Sequence, residues 1–110
     1  MNYQHQGLAA GRWSQLSFLE QMANIGSEVE RALKWRSKHN SAYCQQAFER
    51  ALELADLTLD NLTSFCRLKE VARLRETIVD YFFGTNEYGC DEAFWKKYFL
   101  PFTYAARKDF

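Results

Sequence analysis

The chain contains few residues that break helices, with one proline and five glycines among 110 residues. This scarcity argues against the many turns of an all-β sandwich. No apolar run approaches the roughly 20 residues of a membrane-spanning helix, so we expect no membrane partner. Lysine plus arginine equals aspartate plus glutamate at 14 each, which leaves no overall charge to attract nucleic acid. Any such partner would need a local cationic patch.

Cysteine is also scarce. Cys44, Cys66 and Cys90 are odd in number and far apart, and no basic apolar leader precedes them. We therefore expect a reduced, cytoplasmic protein. Cys44 and Cys66 lie among apolar residues and are expected to be small core groups, whereas Cys90 lies in a loop and is the more reactive candidate.

Motifs of known chemistry are missing as well. The sequence has two histidines and no Glu-x-x-His pair, which excludes the usual di-iron bundle. Zinc-binding spacings, glycine-rich phosphate loops and nucleophile elbows are not found either. His39 is expected to be a solvent-exposed residue at the end of a helix. We therefore predict no catalytic residue, no metal and no cofactor.

Apolar residues recur at helical spacing in the segment that follows residue 13. A first helix is predicted to begin at Ser14 or Ser17, because Ser17 and Glu20 have the spacing of a capping box. It should end near residues 38–40. Its inward stripe is Phe18, Met22, Ile25, Val29 and Ala32.

Three further helices follow. The second is predicted to be capped by Asn40 or Ser41 and to fade near residues 58–61. The third should open near Asn61 or Thr63 and end at Gly84, and Asp91 should cap the fourth. The predicted inward residues are Tyr43, Ala47, Phe48, Ala51, Leu54 and Ala55 in the second helix, and Phe65, Leu68, Val71, Ala72, Ile78, Val79 and Phe82 in the third.

The four segments predict an all-α fold, an antiparallel up-and-down four-helix bundle. Pro101 should kink or end the last helix, because the residue before a proline is pushed out of the α region. Residues 1–12 are interpreted as a flexible N-terminal leader, and residues 13–110 as a single helical domain.

Asn, Gly and Ser interrupt the first helix in the stretch NIGS, at positions 24–27. Gly26 flanks the apolar stripe and would let a neighbouring backbone approach closely, although glycine weakens a helix by about 1 kcal/mol. The polar residues Asn24, Glu28 and Arg31 share another face. They form either a polar seam or a binding site, and a catalytic role would require Asp56, Arg73 or Asp80 in the same cleft.

A cluster of cations on the third helix is the main sign of a nucleic-acid partner. It consists of Arg67, Lys69, Arg73 and Arg75, and Lys34 and Arg36 at the end of the first helix could join it. The alternative is a solvated face that pairs with the acidic second helix, which carries Glu49, Glu53 and Asp56.

Aromatic residues are abundant in the last helix. They include Trp95, Phe99, Phe102 and Tyr104, and with Phe94 and Tyr98 they surround more of the helix than one buried stripe can absorb. We therefore predict a protein interface there, and self-association into a homo-oligomer or contact with another protein as the leading role.

The runs LSFLEQMANIGSEVERALKW, AFERALELADLT and RLKEVARLRETIVDYF resemble a set of short prokaryotic proteins that are usually left uncharacterised. This resemblance covers most of residues 12–107 and implies no catalytic residue. More distantly, the layout is similar to the ribosomal-RNA intervening-sequence proteins and to the HEPN-like partners of minimal nucleotidyltransferases. The HEPN RNase spacing, Arg and then His after four to six residues, is not present, because seven residues separate Arg31 from His39 and two separate Arg36 from it.

Overall fold

The computed structural model describes residues 11–108, which form four α-helices, a short 3₁₀ turn and no strand. Helix α1 spans Phe18–Ser37, α2 spans Ser41–Asn61, α3 spans Phe65–Phe82 and α4 spans Glu92–Lys108. The 3₁₀ turn Trp13–Gln15 precedes α1. The all-α prediction is confirmed. Of the predicted leader, residues 1–10 lie outside the described residues.

The helices pack as an antiparallel up-and-down bundle, as predicted. Helix α1 packs against both α2 and α4, and α2 packs against α3. Helices α2 and α4 therefore both neighbour α1 and contact different flanks of it. Helices α3 and α4 approach each other mainly through side chains, and their backbones stay apart.

Local capping sets where the helices begin. Ser17 and Glu20 form the predicted capping box, with both hydrogen bonds at 3.1 Å. The side chain of Asn40 caps α2, and Asp91 Oδ1 accepts from the Phe94 N–H at 2.8 Å at the start of α4. The predicted start of α3, near Asn61 or Thr63, lies one to three residues before the observed cap, which is Ser64.

The core confirms most of the predicted stripes, including Met22, Ile25, Val29 and Ala32 of α1. In α3 the prediction fails at Phe65, which is 77% exposed, and at Ala72, which is also exposed. At 100° per residue, Phe65 lies about 120° around the helix from the buried Val71. Leu74 and Thr77 are buried instead.

Trp13 anchors the start of the described chain to α2. Its side chain is 2% exposed, and its indole Nε1 donates to Thr58 Oγ1 at 2.9 Å. Gln21 Nε2 donates to the Trp13 carbonyl at 2.9 Å. A residue at the boundary of the predicted leader is therefore part of the core.

Helix α4 continues through Pro101 to Lys108, so of the two expected effects of the proline, a kink or an end, the helix does not end there. Proline lacks the N–H that would donate to the carbonyl of Lys97. Because Lys97 and Pro101 are both exposed, water can bond to that carbonyl, and the helix persists.

The cysteines do not lie where the sequence pattern placed them. Cys66 is exposed, Cys44 is half-buried and Cys90 is buried. Burial is the main cause that raises the pKa of the Cys90 thiol, and the carboxylates of Asp80 and Asp91 raise it further. The prediction that Cys90 is the reactive cysteine is therefore wrong, because its loop folds against the bundle.

Candidate functional site

The NIGS stretch is explained by helix packing. Gly26 is buried in α1, and a Cβ atom built there would lie 2.7 Å from Cγ and Cδ1 of Phe99 on α4. Real Cβ atoms do not approach other atoms so closely, so glycine is needed for this contact. Asn24 and Ser27 donate to carbonyls of their own helix, those of Glu20 and Ala23. The predicted close helix contact is confirmed.

The polar residues near Gly26 do not form a catalytic cleft. Arg31 Nη1 donates to Glu28 Oε1 at 3.0 Å, while Asn24 is exposed and bonded to its own backbone. Two of the three proposed catalytic partners are engaged elsewhere, and the third, Arg73, lies in the groove between α3 and α4. Asp56 pairs with Arg75, and Asp80 accepts from the backbone N–H groups of Glu87 and Tyr88.

The cations predicted to form one patch are divided among different surroundings. Arg75 Nε lies 2.7 Å from Asp56 Oδ1, which agrees with the alternative of pairing with the second helix. The guanidinium of Arg67 lies 4.6 Å from the ring centre of Phe18, and that of Arg36 lies 4.9 Å from the ring centre of Tyr81.

The remaining three predicted cations line grooves. Lys34 lines a groove between α1 and α4, together with Arg31. Lys69 and Arg73 line a different groove, between α3 and α4. Among residues 11–108, no carboxylate lies within 4.0 Å of either the Lys69 ammonium or the Arg73 guanidinium.

The groove between α3 and α4 has a volume of about 380 Å³. This volume lies within the range of ligand and docking pockets in proteins. Helix α3 contributes Cys66, Lys69, Glu70, Arg73, Leu74 and Thr77, and α4 contributes Phe94, Trp95 and Tyr98. The interior is therefore largely apolar and aromatic, with charged side chains on the α3 side.

Helix α4 packs closely on α1 but not on α3, which leaves this groove open. The absence of a side chain at Gly26 lets α4 approach α1 closely. On the α3 side, large side chains separate the two helices. Tyr98 OH donates to Glu70 Oε1 at 3.2 Å, and the ring centres of Tyr81 and Trp95 are 5.7 Å apart. These contacts hold α3 and α4 together but leave a cleft.

Burial affects two polar groups of α4, the Tyr98 hydroxyl and the Trp95 indole N–H. The hydroxyl pKa of Tyr98 is raised, mainly by burial and then by the neighbouring charge of Glu70, so Tyr98 remains a donor at neutral pH. Trp95 Nε1 is buried, and no acceptor among the described residues lies within hydrogen-bonding distance of it. An unpaired buried donor of this kind destabilises a protein by about 1–3 kcal/mol.

The predicted aromatic interface is only partly exposed. Trp95 and Phe99 are 1% and 6% exposed, and Phe102 is half-buried with its ring edge against Phe18. Tyr104 is 67% exposed. Because α4 lies between α1 and α3, two flanks of the helix are covered rather than one. Trp95 and Phe99 are therefore core residues of the bundle.

Reasoning from the sequence missed three residues of the α3 side of the groove, Cys66, Glu70 and Thr77. Together with Arg73 they are spaced by four, three and four residues, which places them on one face of α3. This second stripe contains no large apolar residue, so the periodicity of apolar residues alone did not detect it.

No protein-family model matches the chain, and neither a curated protein nor a solved structure matches it significantly. Within residues 11–108, no group of three or more His, Cys, Asp and Glu residues is placed to hold a metal ion. None of the helices in the described part of the chain is long and apolar enough to cross a lipid bilayer.

Proposed function

We propose that the protein is a non-catalytic helical bundle that acts through protein–protein contact, and that a second copy of the chain docks on the α3–α4 groove. The observation that supports this proposal is the groove itself, a cleft of about 380 Å³ lined mainly by apolar and aromatic side chains. Phe94 at its edge is 39% exposed. Exposed aromatic rings beside an apolar cleft are typical of interface cores.

The charges on α3 are suited to pairing with another copy of α3. In an isologous two-fold interface both copies use the same surface. If one residue of the first copy contacts a second residue of the other copy, that second residue of the first copy also contacts the first residue of the other. If two antiparallel α3 helices cross between residues 71 and 72, Glu70 of each copy faces Arg73 of the other. The net charge of zero also means that two copies do not repel each other.

The alternative proposal, nucleic-acid binding by the cations of α3, receives less support. Arg75 is paired with Asp56, and Arg67 lies over the ring of Phe18. Of these four cations, only Lys69 and Arg73 have neither a carboxylate within 4.0 Å nor an aromatic ring as a partner among the described residues. Two cations provide little of the electrostatic attraction that nucleic-acid binding requires.

Light scattering coupled to size-exclusion chromatography, over a range of protein concentrations, tests self-association. We expect a dimer whose population increases with concentration. Phe94→Glu should weaken it by roughly 30-fold or more, since hot-spot residues contribute about 2 kcal/mol. Leu100→Glu is the matched control, because Leu100 lies on the same helix, is 65% exposed and does not line this groove.

Charge reversal tests the proposed pairing. Glu70→Arg alone and Arg73→Glu alone each place like charges opposite each other across the two-fold axis, so each should weaken the dimer. The double variant should restore it. A wild-type protein that stays monomeric at its highest attainable concentration would contradict self-association, and a double variant no better than the singles would contradict this arrangement.

A further inference from the structure

The charged side chains on the outward face of α4 are mainly cations. From Ala93 to Arg107 the chain has no acidic residue. Lys96, Lys97 and Arg107 are all exposed on this stretch. This surface is distinct from the α3–α4 groove, since none of these three cations lines that groove.

These cations form no salt bridge within the described part of the chain. Among residues 11–108, no carboxylate lies within the 4.0 Å of a salt bridge to Lys96, Lys97 or Arg107. Glu30 and Glu92 face Lys96 from the groove between α1 and α4, but both lie beyond that distance. The positive charge therefore remains available on the solvent side of the helix.

The charge of the molecule is divided between its two sides. Helix α2 carries four carboxylates and one arginine, for a formal charge of −3, whereas α4 carries four cations and one glutamate, for +3. Because both helices pack against α1, the more negative and the more positive helix lie on different sides of α1. A polyanion would therefore be attracted to the α4 side.

Exposed apolar groups lie among the cations. Tyr104 is 67% exposed and Leu100 is 65% exposed, and they are one helical turn apart. Tyr104 lies one turn from Arg107 on the same side of the helix. An exposed aromatic ring beside cations is the arrangement on which bases of a single strand stack. The distance from Lys96 to Arg107 along the helix is about 16 Å, the length of about five stacked nucleotides.

We propose that the outward face of α4 binds single-stranded nucleic acid, with Lys96, Lys97 and Arg107 contacting phosphates and Tyr104 stacking on a base. An anionic membrane fits this surface less well. A helix that lies in a membrane inserts a broad apolar face, but the apolar face of α4, which includes Trp95 and Phe99, is buried in the bundle.

Fluorescence anisotropy with labelled 15-mers of oligo(dT) and oligo(rU), titrated with the full-length protein at several salt concentrations, tests this proposal. Three phosphate contacts predict a slope of about −2 in the plot of log affinity against log salt. Lys97→Ala should make the slope less steep by about 0.7. Tyr104→Ala should weaken binding by about 5- to 150-fold while leaving the slope unchanged.

Lys69→Ala is the matched control, because Lys69 also has no carboxylate within 4.0 Å among the described residues but lies in the α3–α4 groove. It should leave the affinity unchanged.

Absence of binding at low salt would overturn the proposal, as would equal effects of the Lys69 and Lys97 variants. Binding to phosphatidylglycerol vesicles in preference to both oligonucleotides would assign the surface to lipid instead. Since self-association uses another surface, each result is independent of the dimer.

Discussion

Replacing Gly26 with alanine tests the close contact between α1 and α4 directly. The added Cβ would lie 2.7 Å from Cγ and Cδ1 of Phe99 and 3.0 Å from its Cβ. Relief of this overlap requires the phenyl ring or α4 to move. Phe99 is only 6% exposed and its ring stacks on Trp95 with centres 6.1 Å apart, so the ring has little room.

Two opposing effects set the expected change in the free energy of unfolding caused by Gly26→Ala. Alanine favours a helix over glycine by about 1 kcal/mol. Overpacking of a buried contact opposes folding by about 1–3 kcal/mol. The expected balance is a decrease of about 1 kcal/mol in the free energy of unfolding. In a Phe99→Ala background the ring atoms at 2.7 Å are gone and only the approach of 3.0 Å to Cβ remains, so Gly26→Ala should be markedly less destabilising there, and at best should stabilise the protein by about 1 kcal/mol.

Urea unfolding followed by circular dichroism, on the four proteins of this double-mutant cycle, measures the coupling. Asn24→Ala is the control, since it removes another weak helix former from the same helix at an exposed position. It should increase stability by a few tenths of a kcal/mol. If the effect of Gly26→Ala on stability is equally favourable in the wild-type protein and in the Phe99→Ala background, the tight contact does not exist and our explanation of NIGS is incorrect.

Two further substitutions test the polar contacts. Thr58→Val removes the acceptor of the Trp13 indole N–H and should lower the free energy of unfolding by about 1–3 kcal/mol in urea titrations, whereas unchanged stability would show that the indole finds another acceptor. Tyr98 has a hydroxyl pKa raised above the ordinary 10.0, first by burial and then by the charge of Glu70. Its contribution to stability is therefore complete below about pH 10 and is lost as the pH rises above that value. Tyr98→Phe should lessen this alkaline loss in urea titrations at increasing pH, and an equal loss in both proteins would assign it to other groups.

Local features of the fold could be predicted from the sequence. The caps Ser17, Asn40 and Asp91 were identified because a capping side chain bonds to a backbone N–H only three residues away. The stripe through Met22 and Ile25 was identified because helical periodicity is a property of consecutive residues. These interactions do not depend on how the helices are arranged.

Whether a side chain at the end or on the flank of a helix is buried depends on which other helices and loops pack there. Phe65 is exposed and Cys90 is buried, although their local sequences favour the opposite. Pro101 remains helical because its surroundings are exposed, a fact that local sequence does not contain. The periodicity indicates an apolar face, but it does not specify how many other helices cover that face.

The candidate site shows the same division. Local sequence determined that α3 carries Lys69, Arg73 and Arg75 and that these side chains point outward. Only the tertiary structure decided that Arg75 meets Asp56, 19 residues earlier, while Lys69 and Arg73 line a groove. The groove lies between α3 and α4 because α4 packs closely on α1, where Gly26 meets Phe99, and contacts α3 mainly through side chains. Contacts between residues distant in sequence depend on the spacing of whole helices, and that spacing is set by the packing of all four together.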